Sequence, residues 1–586
     1  MIKITKHLEG KDWQRMFIKA ILIVIIAWFE LEIPKYMSEI TRVINTPDST
    51  INEIWRAGIS MLICAFASML FTIAMSYFTA RISTSISSRL RALLYGKVES
   101  FSMSEINKFS IPSLITRTTN DVQQVTGVYN QALQMLVRSP ITFAIALSRI
   151  IGYDARWTNS TIIAATIMTV SMICMMRFVL PRFRLMQTYT DNLNRVTREN
   201  LNGIRVVRAY NAETYEEAKF EKANHELTST NLFTTRMMGL MMPVNSLVSS
   251  GLNLAIYWIG AFLISAAVGV EKVAIFSTLV VFTNYAMQVI SSFTSIINIF
   301  NMIPRAQISA NRINEVLDTE ATIIDGDVME GLPGLFGEIE FRNVSFKYHD
   351  SADYVLKDIS FTAKKGETVA FIGSTGSGKS SLIYLIPRFY DVTEGEVLVD
   401  GVNVKDYNQE ALLNKIGYVS QTAVIFNGTV ASNVAFGSNG KGDYTYADVM
   451  EAVRVAQGQE FVENMHGQYD GMTSQGGTNL SGGQKQRVSI ARAVCRDPEI
   501  FIFDDSFSAL DYRTDRQLRS ELKKQTSGAT SLIVAQRIGT IMDADKIVVL
   551  DEGMVMGIGT HKELLQTCAV YREIAGSQLS EEELAS

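Results

Sequence analysis

The chain has 586 residues, of which 47% are hydrophobic and 19% charged, with a mean hydropathy of +0.13. That is too apolar for an ordinary soluble enzyme and long enough for more than one domain, so a membrane part is expected. A net charge of −5 with no long basic tract argues against a nucleic-acid partner. The four cysteines, Cys64, Cys174, Cys495 and Cys568, have no metal-ligand spacing and are assigned no redox or metal role.

Hydrophobicity is uneven along the chain. Up to about residue 305, long apolar runs recur, each near the roughly 20 residues that a membrane helix needs. Six spans are expected at about 17–42, 55–80, 128–152, 159–181, 239–267 and 273–302. The polar start, with Lys3, Lys6, Lys11 and Arg15, is not read as a cleavable signal, because the first apolar run is too long and shows no small-residue cleavage site. The stretch after the second span carries Arg81, Arg89, Arg91, Lys97, Lys108 and Arg117. The one after the fourth carries Arg177, Arg182, Arg184, Arg195, Arg198, Arg205 and Arg208. The alternate loops, around Thr46 to Glu53, Tyr153 to Asn159 and Ala267 to Lys272, are short and poor in basic residues. Basic loops stay in the cytoplasm, so both termini are expected inside. Helical periodicity persists well beyond the bilayer in the basic stretches, which predicts long intracellular arms. Glu30 and Glu32 in the first span and Arg138 and Arg149 in the third are costly in lipid, and should face a translocation pathway, each other or the outer interface. Methionines such as Met61, Met69, Met75, Met237, Met241 and Met287 offer an adaptable apolar surface, which suits amphiphilic cargo and helix packing alike.

From about residue 337 the pattern changes to short strands, glycine turns and amphipathic helices. An apolar strand runs into Gly373, Ser374, Thr375, Gly376, Ser377, Gly378, Lys379 and Ser380, with Ser381 opening an apolar helix. This is the strand–loop–helix context of a phosphate loop: backbone N–H groups turn inward, Lys379 reaches the β- and γ-phosphates of ATP, and Ser380 coordinates Mg²⁺. A second strand, Ile500 to Phe503, ends in Asp504, whose carboxylate needs a cation such as hydrated Mg²⁺ to sit there. Asp505 follows. As a base or orienting group for the attacking water it is one methylene shorter than glutamate, so slow hydrolysis is expected. The strand Ser531 to Ala535 leads to Gln536. None of the histidines (His7, His225, His349, His466 and His561) follows that strand, and a glutamine cannot carry the positive charge that histidine can acquire.

Tyr348, the loop Gly373 to Ser380, Gln421 in GYVSQ, the signature Leu480, Ser481, Gly482, Gly483 and Gln484, then Asp504, the turn Ser508 to Asp511 and Gln536 stand in the order and spacing of an ATP-binding cassette. With the spans ahead of it, the chain resembles a half-transporter of the type IV exporter group. SLITRTTNDVQQV and LNGIRVVRAYNAE resemble that group's first and second intracellular loops. The resemblance implies a multidomain fold: a six-helix α-helical transmembrane domain (1–320), a linker (321–336) and an α/β P-loop nucleotide-binding domain (337–586). It implies ATP and Mg²⁺ as cofactors, Tyr348 stacking on adenine, Gln421 contacting Mg²⁺ or the water, and Asp504 meeting Mg²⁺ through water. Signature and Asp511 would face ATP held by the other cassette of a dimer. Asp505 and Gln536 stand where this group usually has glutamate and histidine. The chain therefore resembles the degenerate-site subunit of bacterial heterodimeric multidrug exporters, with a non-identical partner carrying both residues. Gln475 stands where many exporters have a glutamate that couples to the intracellular loops. Residence in the plasma membrane, contact with lipid and a hydrophobic small-molecule cargo follow from the resemblance. A lipid, peptide or metal-chelate cargo, or an ATP-gated regulatory protein, is the alternative.

Overall fold

The computed structural model describes residues 2–6, 8–44, 50–349, 351–525 and 528–579, so residues 45–49 of the first short loop and His7 lie outside the described residues. The chain forms two compact units: Met1–Glu99 with Pro112–Thr319, and Ser100–Ile111 with Glu320–Ser586. The break between them falls at Thr319 and Glu320. One short segment of the first 320 residues, Ser100–Ile111, belongs to the second unit.

The first unit is helical. After the short α1 (Ile2–Thr5) come α2 (Gly10–Ile44) and α3 (Ile51–Glu99); α4 (Met103–Phe109) and α5 (Ile111–Thr116) follow, then a π-helical turn at Arg117–Asp121 and α6 (Val122–Ile150). The remainder is α7 (Ala155–Asn202), α8 (Ile204–Ala209), α9 (Glu213–Gly239), α10 (Met241–Ala266) and α11 (Val270–Asp318). At about 1.5 Å per residue, α3, α7 and α11 are each roughly 70 Å long, more than twice a hydrocarbon core of about 30 Å. Arms that outrun the bilayer therefore follow from helix length alone.

Four helical stretches among the described residues are long and apolar enough to cross a membrane: Ile51–Glu99, Ala155–Asn202, Glu213–Ala266 and Glu271–Ser295. On α3 the side chains of Leu62, Ile63, Phe66, Leu70 and Ile73 point outward. A contiguous apolar face of that kind is favourable only against an apolar medium. The other two expected spans, 17–42 and 128–152, fall in α2 and α6, which are helical but more polar, with Lys19, Glu30 and Glu32 in one and Asn130, Gln131, Arg138 and Arg149 in the other. A buried cluster that includes Leu31, Ala146, Trp157, Leu252, Ile256, Phe282 and Tyr285 joins these helices to α7, α10 and α11. Gly260 permits the close approach, since a Cβ there would collide with Leu279. Two ring groups are satisfied across helices: Trp157 Nε1 donates to the carbonyl of Ile256 at 3.0 Å, and the Tyr285 hydroxyl to that of Leu31 at 3.0 Å, one turn before Pro34.

The charges of α2 and α6 meet each other. Arg138 donates from Nη2 to both oxygens of Glu30, at 2.6 and 2.8 Å, and Arg149 to Glu32 at 2.6 Å, with Lys35 3.5 Å from Glu32. The arginines are about three helical turns apart on α6, and the glutamates are two residues apart on α2. Arg149 also lies over the ring of Trp28, at 5.5 Å. Removing one member strands its partner, whereas removing both does not. Glu32→Gln and Arg149→Gln are each expected to lower the melting temperature in detergent more than the double variant does, with a coupling of about 1 kcal/mol in a double-mutant cycle.

The second unit holds the strands. A four-stranded antiparallel sheet has the order β2 (Leu356–Ala363), β1 (Ile339–Phe346), β4 (Glu394–Val399), β5 (Val402–Asn403). A six-stranded sheet has the order β12 (Met554–Gly559), β11 (Lys546–Asp551), β3 (Thr368–Gly373), β10 (Thr530–Val534), β9 (Ile500–Asp504), β6 (Ile416–Val419) and is parallel except at β12. Every residue of β9 and β10 is buried, which explains the apolar runs Ile500–Phe503 and Leu532–Val534: a parallel sheet covered on both faces has no polar side to write. β7 (Gly428–Thr429) pairs with β8 (Met472–Thr473) in a separate ribbon. α4 belongs to this unit. It opens on a capping box of Ser102 with Glu105, stacks Phe101 on Phe109, and places Asn107 Nδ2 3.0 Å from the Tyr390 hydroxyl.

Candidate functional site: a nucleotide cradle at the strand ends

Parallel strands aim their carboxyl ends at one edge, and four candidate segments start there. β3 ends in Gly373, whose Cα lies so close to the carbonyl of Leu550 on β11 that a side chain would collide with it. Gly376 and Gly378 adopt φ of +87° and +92°, and a Cβ on Gly378 would press on Leu356 and on the carbonyl of Val355. These positions require glycine, and they turn the loop around toward α12 (Lys379–Tyr384). Ser374 donates to Asp551 at 3.0 Å, Thr375 is exposed, and Ser377 is buried beneath the loop.

Lys379 Nζ is held by the carbonyls of Gly373 at 2.9 Å and Ser374 at 2.7 Å and by Ser377 Oγ at 3.3 Å. Burial lowers its pKa, while Asp505 and Asp504 oppose that. An ammonium solvated by its own loop is placed to exchange those carbonyls for phosphate oxygens. Ser380 Oγ donates to Asp504 Oδ1 at 2.8 Å, which joins the loop to the end of β9. Hydroxyl and carboxylate oxygens are the hard donors that Mg²⁺ prefers, and with the glycine cradle they fit a magnesium nucleotide. Burial raises the pKa of Asp504.

Asp505 has a left-handed backbone, φ +46°, and donates its N–H to the carbonyl of Val534 on β10 at 3.0 Å. Its Oδ2 accepts from Gln536 Nε2 at 2.8 Å and from Gln421 Nε2 at 3.4 Å, so two of the expected site residues converge on one oxygen of a third. Burial raises the pKa of Asp505 too. Tyr348 is half-buried: its hydroxyl is 2.8 Å from Ser381 Oγ and its ring stands edge-on to Phe346 and Tyr390.

The signature lies elsewhere in the unit, and among the described residues no hydrogen bond ties it to the phosphate loop. Ser481 caps the helix Gly482–Cys495 in a capping box with Gln484, Oγ accepting from the Gln484 N–H at 3.3 Å and Gln484 Oε1 from the Ser481 N–H at 2.8 Å. Leu480 is anchored in the core with Phe507 and Leu510, Gly482 faces open space, and a Cβ on Gly483 would contact the carbonyl of Ala509. Asp511 is exposed and accepts from the N–H of Thr514 at 3.0 Å. Gln475 begins a short 3₁₀ turn at Gln475–Gly477.

Residues 16–293 match the ABC transporter transmembrane region and residues 356–508 the ABC transporter domain. An uncharacterised ABC transporter ATP-binding protein of Mycobacterium tuberculosis is 38% identical over 529 residues, 90% of this chain and 89% of the relative. This chain belongs to the ABC transporter family. An ATP-dependent lipid A-core flippase of Syntrophus aciditrophicus is 32% identical, covering 87% of this chain and 84% of the relative, and a putative multidrug export ATP-binding/permease protein of Bacillus subtilis is 31% identical, covering 85% and 84%. The structure of a bacterial Atm1-family ABC exporter with ATP bound superposes with a TM-score of 0.77 at 24% identity, over 97% of this chain and 99% of that one, which gives the ABC transporter the fold of that exporter.

Two residues at the site escape a motif-based reading. Tyr384 donates its hydroxyl to Asp504 Oδ2 at 3.2 Å; it lies four residues after Ser380, hence on the same helix face, which is the signal that would have found it. Gln578 brackets the segment that follows β10, donating to the carbonyl of Gln536 at 2.9 Å and accepting from the N–H of Ile538 at 2.8 Å. No local pattern marks it. Replacing Lys379 with alanine removes the one ammonium in the loop, and ATP affinity is expected to fall on the order of a hundredfold, read by fluorescence titration with a nucleotide analogue.

Proposed function

We propose that this chain is one subunit of an ATP-driven exporter that pairs with a second, non-identical half-transporter, and that its own nucleotide site binds ATP but turns it over slowly. The observation that carries the reading is the 2.8 Å hydrogen bond from Gln536 to Asp505. Where a glutamate would extend toward an attacking water, the shorter carboxylate stays against its strand end and is engaged by the amide of the switch residue. Neither side chain is then free to take a proton from water or to carry positive charge toward the γ-phosphate.

In this reading Lys379 and the Gly373–Ser380 loop bind the phosphates, Tyr348 supports the adenine, and Ser380, Gln421 and Asp504 (through water) hold Mg²⁺. Bound Mg²⁺ supplies charge neutralisation at the β- and γ-phosphates. The intact signature, Leu480 to Gln484, and Asp511 complete the partner's site, where glutamate and histidine support hydrolysis. The slow site acts as a clamp while the partner's turnover opens the dimer. Six spans, formed by α2, α3, α6, α7, α10 and α11, with both termini in the cytoplasm, agree with the basic residues of the long arms. The outward-facing apolar side chains and the multidrug-export relative favour a hydrophobic or amphiphilic drug leaving across a bacterial plasma membrane. A lipid cargo is the second reading, favoured by the lipid A-core flippase relative and by the half-exposed Glu30–Arg138 pair, whose two charges suit a zwitterionic headgroup.

ATPase activity of the purified chain alone and with candidate partner half-transporters tests the asymmetry. Turnover near zero alone and strong turnover in the pair is the expected result. Asp505→Glu with Gln536→His should raise the activity of the chain alone by about 10²-fold or more. Robust hydrolysis by the unaltered chain would mean that Asp505 serves as the catalytic carboxylate in a homodimer.

A further inference from the structure

Asp504 is fully buried, at 0% exposure, and a carboxylate at that depth needs a donor or a cation at each oxygen. Ser380 serves Oδ1 and Tyr384 serves Oδ2, both from the same face of α12. With both oxygens held, the plane of the carboxylate is fixed; with one released, it turns about its terminal torsion, which has only broad, shallow minima. Tyr384 is itself held, 6.2 Å from the ring of Phe389 and 6.5 Å from that of Tyr418, while Phe389 and Tyr418 meet edge-on at 5.5 Å.

We propose that Tyr384 is a positioning residue for the metal ion that accompanies ATP: by holding Asp504 Oδ2 it aims the rest of the carboxylate, and the Ser380 hydroxyl bonded to it, at the metal's coordination shell. Tyr384 sets metal affinity without touching metal or nucleotide. This concerns the ATP-binding half alone and holds whether the partner chain is identical or not. Outer partners of metal-facing carboxylates commonly matter as much as this geometry implies. Tyr418 supplies the contrast: its ring packs on Tyr384 and its hydroxyl interacts with the Tyr384 hydroxyl, but it makes no hydrogen bond to Asp504.

The test uses the full chain in lipid nanodiscs with a non-hydrolysable ATP analogue and Mn²⁺ as the metal, free Mn²⁺ being read by its electron paramagnetic resonance signal. Tyr384→Phe keeps the ring and leaves Oδ2 without a donor. It should weaken Mn²⁺ binding in the presence of the analogue about tenfold, while binding of the analogue in excess chelator stays unchanged. Tyr418→Phe should leave both quantities unchanged. Parental Mn²⁺ affinity in Tyr384→Phe would overturn the proposal. So would an equal loss of analogue binding with and without metal, or an equal effect of Tyr418→Phe, since either would trace the change to packing of the aromatic cluster.

Discussion

A carboxylate buried at the end of an apolar parallel strand is the constraint on which the nucleotide-binding half depends. Asp504 closes β9 with no solvent around it, and the strands on either side carry no charged residue, so its charge has to be answered by groups brought from elsewhere. The phosphate loop does this. Its glycines let β3 pass the carbonyl of Leu550 and turn back on itself, so that α12 delivers Ser380 and Tyr384 to the two oxygens. The same turn leaves Lys379 above the loop with only carbonyl and hydroxyl partners. Buried acid, glycine-turned loop and an ammonium solvated by its own loop form one arrangement whose donors and charges fit a magnesium nucleotide.

In the membrane half the same physics works without a ligand. Ionisable groups in an apolar helix are tolerated when they find each other, and α2 and α6 answer Glu30 with Arg138 and Glu32 with Arg149. The pairs differ in access: Glu32 is nearly enclosed, at 11% side-chain exposure, while Glu30 is at 29%. The enclosed pair belongs to the packing of the bundle, and the open one is the part of α2 and α6 that another molecule can reach.

What was legible in the chain divides along lines of sequence distance. The phosphate loop, Asp504, Asp505, the signature and Gln536 could be placed because each sits at a junction of strand, turn and helix, where local spacing dictates geometry. Long helices, and arms beyond the bilayer, were legible from periodicity. The partners of Glu30 and Glu32 were not settled, because they lie more than 100 residues away and several faces of a helix can take a charge. Tyr384 was hidden inside SSLIYLI, where an aromatic residue reads as packing and only its register with Ser380 betrays a second task. The assignment of Ser100–Ile111 to the cassette unit depends on contacts such as Asn107 with Tyr390, which no local pattern encodes.

Gln578 brackets the backbone of the switch segment from near the end of the described chain, one hydrogen bond on either side of Arg537. The helix that ends two residues before it, Ala569–Gly576, is anchored by Tyr571 and Ala575 in the main core of the cassette, so the bracket is firmly based. A residue near the end of the described chain is therefore wired to the backbone of the residue that engages Asp505. A truncation that removes Gln578 is an intervention at the nucleotide site, and kinetic measurements on such protein report on the missing bracket as well as on the cassette.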